Sequence, residues 1–152
     1  ALVRAEVSWT ADAARVRTYV VGRHDRIPYD DYDYRYSYAV AGGTWRRGPT
    51  TAFASLSWSR SESPDETRVL SGSADFRHEL VPGRWTARVA ARWSAASGED
   101  DYNRTRYTFE TRWDAGDYDL RIEYGLHDRD DRVDPEQSYT EHVVGLSVGR
   151  SF

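Results

Sequence analysis

The chain has 152 residues, 25 of them acidic and 21 basic, a net charge of −4 and a mean hydropathy of −0.81. No apolar run approaches the roughly 18 residues that a membrane helix requires, and the negative charge argues against a nucleic-acid partner, whose phosphates need basic surface. With no cysteine there is no disulfide, thiolate metal site or covalent haem attachment in the chain, so no cofactor is expected.

A membrane β-barrel is compatible with this composition, because its strands alternate lipid-facing and lumen-facing residues and half of each strand can be polar. The period-two signal of such strands begins at once, with Val3, Ala5, Val7 and Trp9 on one face and Arg4, Glu6 and Ser8 on the other. A second strand sets Val16, Thr18 and Val20 against Arg15, Arg17 and Tyr19. In the third, Tyr34, Tyr36, Tyr38 and Val40 read as the apolar face, opposite Arg35, Ser37 and Ala39. A fourth carries Ala52, Ala54, Leu56 and Trp58, and a fifth sets Leu70, Gly72, Ala74 and Phe76 against Ser71, Ser73, Asp75 and Arg77. The sixth alternates Trp85, Ala87, Val89, Ala91 and Trp93 with Thr86, Arg88, Ala90 and Arg92. The seventh places Tyr107, Phe109, Thr111 and Trp113 opposite Arg106, Thr108, Glu110 and Arg112, and the eighth Tyr118, Leu120, Ile122, Tyr124 and Leu126 opposite Asp119, Arg121 and Glu123. The ninth ends the chain with Val144, Leu146, Val148 and Phe152 on one side.

This pattern predicts an all-β protein: an antiparallel up-and-down transmembrane β-barrel segment over residues 1–152, with about nine strands present. The 6 Trp and 11 Tyr, several at strand ends, read as aromatic girdles at the two membrane interfaces. A soluble β-sandwich or lipocalin-like barrel is the competing architecture. Short turns are expected at Thr10–Ala13, Arg46–Pro49, Val81–Gly83 and Asp114–Asp117, and long acidic loops at His24–Asp31, Ser61–Glu66, Ala95–Asn103 and His127–Gln137. The short set would be periplasmic and the long set extracellular. Nine is an odd number, whereas bacterial single-chain barrels have an even strand count with both termini periplasmic. The expectation is therefore that the chain is the C-terminal part of a larger barrel with at least one strand before Ala1.

The final stretch from Tyr139 to Phe152 resembles the β-signal through which the outer-membrane assembly machinery recognises its clients, with Val144, Leu146, Val148 and the terminal Phe152 carrying the likeness. Arg150 departs from that pattern, which more often has a hydrophobic residue or Tyr there. The stretch from Arg121 to Phe152 also resembles the ends of large proteobacterial barrels, including MtrB-type barrels that sheathe multihaem cytochromes and barrels associated with exopolysaccharide systems. The resemblance implies a Gram-negative outer membrane, with lipid and lipopolysaccharide around the barrel. It also implies contact with the assembly machinery and a lumen-inserted protein or neighbouring barrel strands as partners.

The expected lumen face carries Arg15, Arg17, Arg35, Arg77, Arg88, Arg92, Arg106, Arg112 and Arg121, accompanied by Glu6, Asp75, Glu110, Asp119, Glu123 and Glu141. In a wide barrel these line an aqueous path or grip a polar partner; in a narrow one they plug the interior. Every basic side chain is Arg, which suits bidentate pairing with carboxylates and also suits a GC-rich genome. Two His-Asp-Arg triplets, His24-Asp25-Arg26 and His127-Asp128-Arg129, raise acid–base chemistry of the omptin type, with solvated loop residues as the plainer reading. Acidic groups at Asp30, Asp31 and Asp33, and at Asp128, Asp130, Asp131, Asp134 and Glu136, offer oxygen ligands for calcium, but EF-hand spacing is absent and no metal site is expected. The leading expectation is a non-enzymatic pore or sheath. A small complete barrel of the OmpX or OmpA kind and an outer-membrane hydrolase are the alternatives.

Overall fold

In the computed structural model, which describes residues 3–13, 15–28, 33–63 and 65–150, nine strands pair antiparallel with their sequence neighbours. They are β1 (Val3–Ala13), β2 (Val16–Pro28), β3 (Asp33–Arg47), β4 (Thr50–Ser63), β5 (Asp65–Val81), β6 (Trp85–Gly98), β7 (Tyr102–Asp114), β8 (Tyr118–Asp131) and β9 (Tyr139–Arg150). The one helical turn among the described residues is a 3₁₀ turn at Pro135–Gln137. The alternation thus located all nine strands, because each has side chains suited to two different solvents.

The sheet is open. β1 pairs with β2 and β9 pairs with β8, and among the described residues β1 and β9 make no contact with each other. These nine strands are accordingly not a small closed barrel. Among the described residues there is no second layer, and the only buried hydrophobic residue is Ala96. A compact soluble monomer of 17.5 kDa exposes about 7,900 Å² by the usual size scaling, against 10757 Å² here. The described strands form one sheet and so do not by themselves make a two-layer sandwich.

That face is assembled by register. Val20 pairs with Ala41, Ala41 with Leu56, Leu56 with Gly72 and Gly72 with Trp93; nearer the turns, Phe76 pairs with Val89, Val89 with Phe109 and Phe109 with Tyr124. Trp45, Trp85, Trp113 and Tyr118 lie towards the ends joined by short turns, and Trp58, Trp93 and Tyr107 towards the other ends, all facing outward and exposed. From Trp85 to Trp93 the strand runs roughly 26 Å, or about 20 Å of height at a typical tilt of ~40°. This matches the outward apolar band of a membrane barrel. On the outward face the Trp85 indole N–H donates to Thr111 Oγ1 at 2.7 Å, so its polar end is satisfied.

Strands of 13 to 17 residues from β2 to β8 exceed the ~9–11 needed to cross the membrane. The excess lies at the loop end and corrects the expected long loops. His24 to Ile27 belong to β2, Ser61 to Ser63 to β4 and Ala95 to Gly98 to β6, and β8 continues through Asp131. At the other end β1 reaches Ala13, where a turn had been expected from Thr10. The loop-end extensions carry charged side chains whose partners lie across the ladder rather than in solvent. On the outward side of β2 to β5, Arg26 pairs with Asp33, Arg35 with Asp33 at 3.6 Å and with Glu62 at 3.9 Å, Arg60 with Glu62 at 2.6 Å and with Glu66 at 2.9 Å, and Arg68 with Glu66. These pairs form a charged ledge directly above Trp58. The carboxyls of Asp33 and Glu66 are held below their usual range, first by the hydrogen bonds from Arg26 and Arg68 respectively.

Candidate functional site: the polar face

The second face of the sheet gathers the arginines. Strand parity, fixed by the register, puts Arg17, Arg77, Arg88, Arg92, Arg106, Glu110, Arg112, Asp119, Arg121 and Glu123 on it together, with Asp75 and Glu141. Two expected members are displaced. Arg35 lies on the apolar side, in the outward ledge, because its cross-strand partners are Arg26 and Glu62. Arg15 sits in the turn ahead of β2, where its carbonyl accepts from the Arg46 N–H at 2.9 Å. Glu6 lies on β1, whose side chains fall outside the described residues.

The displacement of Arg35 is part of a larger correction, since β3 is inverted relative to its sequence reading. Trp45, Gly43, Ala41 and Ala39 join the apolar face, while Tyr34, Tyr36, Tyr38 and Val40 face the polar side. Tyr38 pairs with Arg23 and Tyr36 with Asp25; Arg23 bridges Asp25 at 2.6 Å, and the two tyrosine rings lie 6.2 Å apart. The physical reason is that small Ala and Gly residues suffice against Val20, Leu56 and Trp58, whereas a tyrosine hydroxyl gains from water.

The centre of the polar face is an ion-pair network across β5 to β8. Arg88 donates through Nε to Asp75 at 2.7 Å and lies 3.8 Å from Glu110. Glu110 also accepts from Arg121 at 3.1 Å, and Arg121 reaches Glu123 at 2.9 Å. Arg112 grips Asp119 with two hydrogen bonds, at 3.1 and 2.5 Å. A depression of about 550 Å³ opens over this network, and a second of about 580 Å³ adjoins it towards the loop end. β4 adds a run of hydroxyls, Ser55, Ser57, Ser59 and Ser61, that sequence reasoning did not single out although its period-two spacing is plain. Arg104 and Arg129 were likewise missed, and they too lie on this face.

Both His-Asp-Arg triplets lie in strands, where consecutive side chains point to opposite faces. Neither histidine can therefore reach the aspartate next to it. His24 Nδ1 lies 2.8 Å from Ser37 Oγ on the outward side; His127 Nε2 accepts from Arg106 at 2.5 Å, and its Nδ1 lies 3.3 Å from Glu141. No carboxylate contacts His24 among the described residues.

Of the acidic groups, Asp30 and Asp31 lie outside the described residues, and the described ones include no trio of potential ligands that converge. Asp131 is instead the hub of the β8–β9 loop. One of its oxygens accepts from the amides of Val133 and Asp134 at 3.1 and 2.9 Å, and the other from Arg129 at 2.7 Å. The Asp134 amide, followed by the Arg129 guanidinium, holds its carboxyl below the usual aspartate range. The folded loop thus prefers the charged form. Its contribution to stability is complete above the ordinary value near ~3.9 and falls as pH drops through that value towards the lowered one. Amide exchange at Val133 and Asp134, corrected for intrinsic rates, should accelerate below about pH 4, and Asp131→Asn should remove this dependence by opening the loop at neutral pH. Protection that is unchanged in Asp131→Asn would refute the assignment.

Val144, Leu146 and Val148, expected from the sequence to form an assembly signal, face outward on β9 with relative exposures of 76%, 69% and 67%, paired with Tyr124, Ile122 and Leu120. Phe152 lies outside the described residues.

With this geometry established, solved structures identify the fold. The chain superposes on OmpT, an outer membrane protein of Vibrio cholerae, in its in-vitro folded form with a TM-score of 0.69, 11% identity and 98% of the chain covered. The form expressed in the outer membrane gives 0.68, and a mutant lacking loop L8 gives 0.71, both at 11% identity and 98% coverage. No protein-family model and no curated protein matches the chain. The fold is that of an outer-membrane β-barrel wall. The chain spans little more than half of each solved barrel, between 53% and 56%.

Proposed function

We propose that these nine strands form a contiguous arc in the wall of a larger outer-membrane barrel, and that the polar face lines a water-filled passage for solutes. The carrying observation is the open amphipathic sheet: among the described residues each edge strand is paired on one side only, and an unpaired edge in lipid leaves backbone groups unsatisfied at several kcal/mol each. Further strands would supply the missing partners. The protein contributes a charged, hydrated wall rather than bond-making chemistry. Outer-membrane lipid contacts the apolar band, lipopolysaccharide meets the outward ledge, and the assembly machinery reads the Val144–Val148 stretch of β9.

A second reading, a sheath around an inserted partner protein, is favoured by the resemblance of Arg121–Phe152 to MtrB-type barrels and by tyrosines on the polar face of β3. Planar-bilayer recording of the purified full-length protein separates the two. A passage gives stable ohmic conductance steps in the protein alone. A protein that inserts but stays silent, and that co-purifies with a tightly held polypeptide, refutes the open passage in favour of the sheath.

A further inference from the structure

We propose that the polar face holds a binding site for phosphoryl-bearing anionic solutes, built from Arg92, Arg104 and Arg106 beside the hydroxyls of Ser71, Ser73 and Ser94. The site rests on the reading of this face as water-filled and adds to it the class of solute that is gripped.

The argument begins with register. Arg92 on β6 stands directly opposite Arg106 on β7, an arrangement in which like charges repel and destabilise the pair. Elsewhere on this face such opposition is relieved. Arg88 opposes Arg77 but binds Asp75, and Arg121 opposes Arg112 while each has its own carboxylate. Arg92 has no hydrogen bond and no ion pair among the described residues, and Arg106 donates only to the His127 ring. That bond needs an unprotonated His127 Nε2, so it brings Arg106 no countercharge. Arg104, on the same face, has only a long 3.5 Å contact with the Tyr139 hydroxyl. Of the carboxylates on this face, Asp75 and Glu110 are engaged by Arg88 and Arg121, and Glu141 lies 3.3 Å from His127 Nδ1.

The second observation is the space. These three arginines and the serines line one hollow of about 580 Å³, contiguous with the depression over the ion-pair network. Ser73 pairs across the ladder with Arg92, and Ser94 with Arg104, so two of the three arginines stand opposite a hydroxyl residue. Planar guanidinium forks together with rotatable O–H donors match a tetrahedral oxyanion, which accepts several charge-assisted hydrogen bonds at once. A carboxylate-bearing solute uses fewer of these donors, and a cation meets three positive charges.

The test is equilibrium binding of pyrophosphate to the full-length protein in detergent, by titration calorimetry at low ionic strength. It is run beside Arg92→Gln/Arg106→Gln, Arg104→Gln and the control Arg132→Gln, whose guanidinium lies 3.4 Å from Asp101 at the loop end of the sheet, with heat-modifiable gel mobility confirming that each variant folds. Loss of one good charge-assisted contact corresponds to about tenfold in affinity. The double variant should therefore bind at least about tenfold more weakly, Arg104→Gln several-fold more weakly, and Arg132→Gln like the parent. Binding should also weaken steeply with salt. Equal binding by parent and double variant, or no saturable binding to the parent, overturns the site. Pyrophosphate binding without bilayer conductance leaves the site standing and refutes the open passage; conductance without binding does the reverse.

Discussion

Val89→Arg should destabilise the folded protein by about 2–4 kcal/mol, whereas Ala90→Arg, one residue further on, should cost about 1 kcal/mol or less. Val89 is on the apolar face of β6, midway between Trp85 and Trp93, with relative exposure 51% and with Phe76 and Phe109 as its cross-strand partners. With the apolar band in lipid, its neighbourhood is the middle of the bilayer, where a guanidinium loses most of its hydration and can regain it only by reaching for a distant headgroup. Ala90 lies on the other face, beside Arg88 and Arg92, where it lines the depression over the ion-pair network. A new arginine there remains hydrated and meets only screened repulsion. Urea unfolding from phospholipid vesicles, followed by tryptophan fluorescence, measures both. Equal costs would mean that the two faces see the same solvent; a larger cost at Ala90 would mean that the polar face is the covered one, and the membrane assignment would fail.

The same two-solvent logic decides what the sequence made legible. Strand existence was readable wherever one solvent demanded apolar side chains and the other tolerated charge, as in Trp85–Trp93 and Tyr118–Tyr124. Turns were readable where backbone chemistry forces them, as at Pro82-Gly83, with Gly83 at φ +69°, and at Ala115-Gly116-Asp117, with Gly116 at φ +80°. Above the apolar band the pattern loses its contrast, because both faces meet water, and so Ser61–Ser63 and Ala95–Gly98 read as loops although they continue the ladder. The charged ledge compensates there: Arg60, Glu62, Glu66 and Arg68 find one another only once β4 and β5 are paired, and pairing is invisible in a single segment.

The polar face was legible for the same reason and failed for a related one. Alternation fixes which residues share a face but not which face it is, and β3 shows the consequence. Tyr34, Tyr36 and Tyr38 looked apolar beside Arg35, Ser37 and Ala39, but the pairing of Val20 with Ala41 and of Ala41 with Leu56 turns the strand over. Arg35 leaves the polar face with that inversion, and the tyrosines enter it. Arg92 and Arg106 were expected on this face, but that they and Arg104 lack a carboxylate partner among the described residues lay beyond sequence reasoning. Their charges matter because carboxylates on other strands are already committed to other arginines, a property of the assembled register rather than of any one strand.

Gly98→Ala carries the other large expected effect, about 2–4 kcal/mol, and it tests the height of the sheet rather than its faces. Gly98 ends β6 at φ +118°, a backbone conformation that L side chains rarely adopt, and an added Cβ would meet the Glu66 carbonyl oxygen at 1.9 Å. That carbonyl is not free to retreat, since it accepts from the Glu99 amide at 3.1 Å and lies on the residue that holds Arg60 and Arg68. Relief therefore requires opening the β5–β6 junction. Gly83→Ala is the matched control: its φ is also positive, but nothing lies within 4 Å of the new methyl. There the cost is the conformational one alone, about 1 kcal/mol. Urea unfolding of the two variants in the same vesicles compares them directly. A clear excess for Gly98→Ala would confirm close backbone packing above the apolar band, where the charged ledge sits. Equal costs would mean that β5 and β6 separate before reaching Gly98, and the ledge would then lose the ladder that aligns its arginines with their carboxylates.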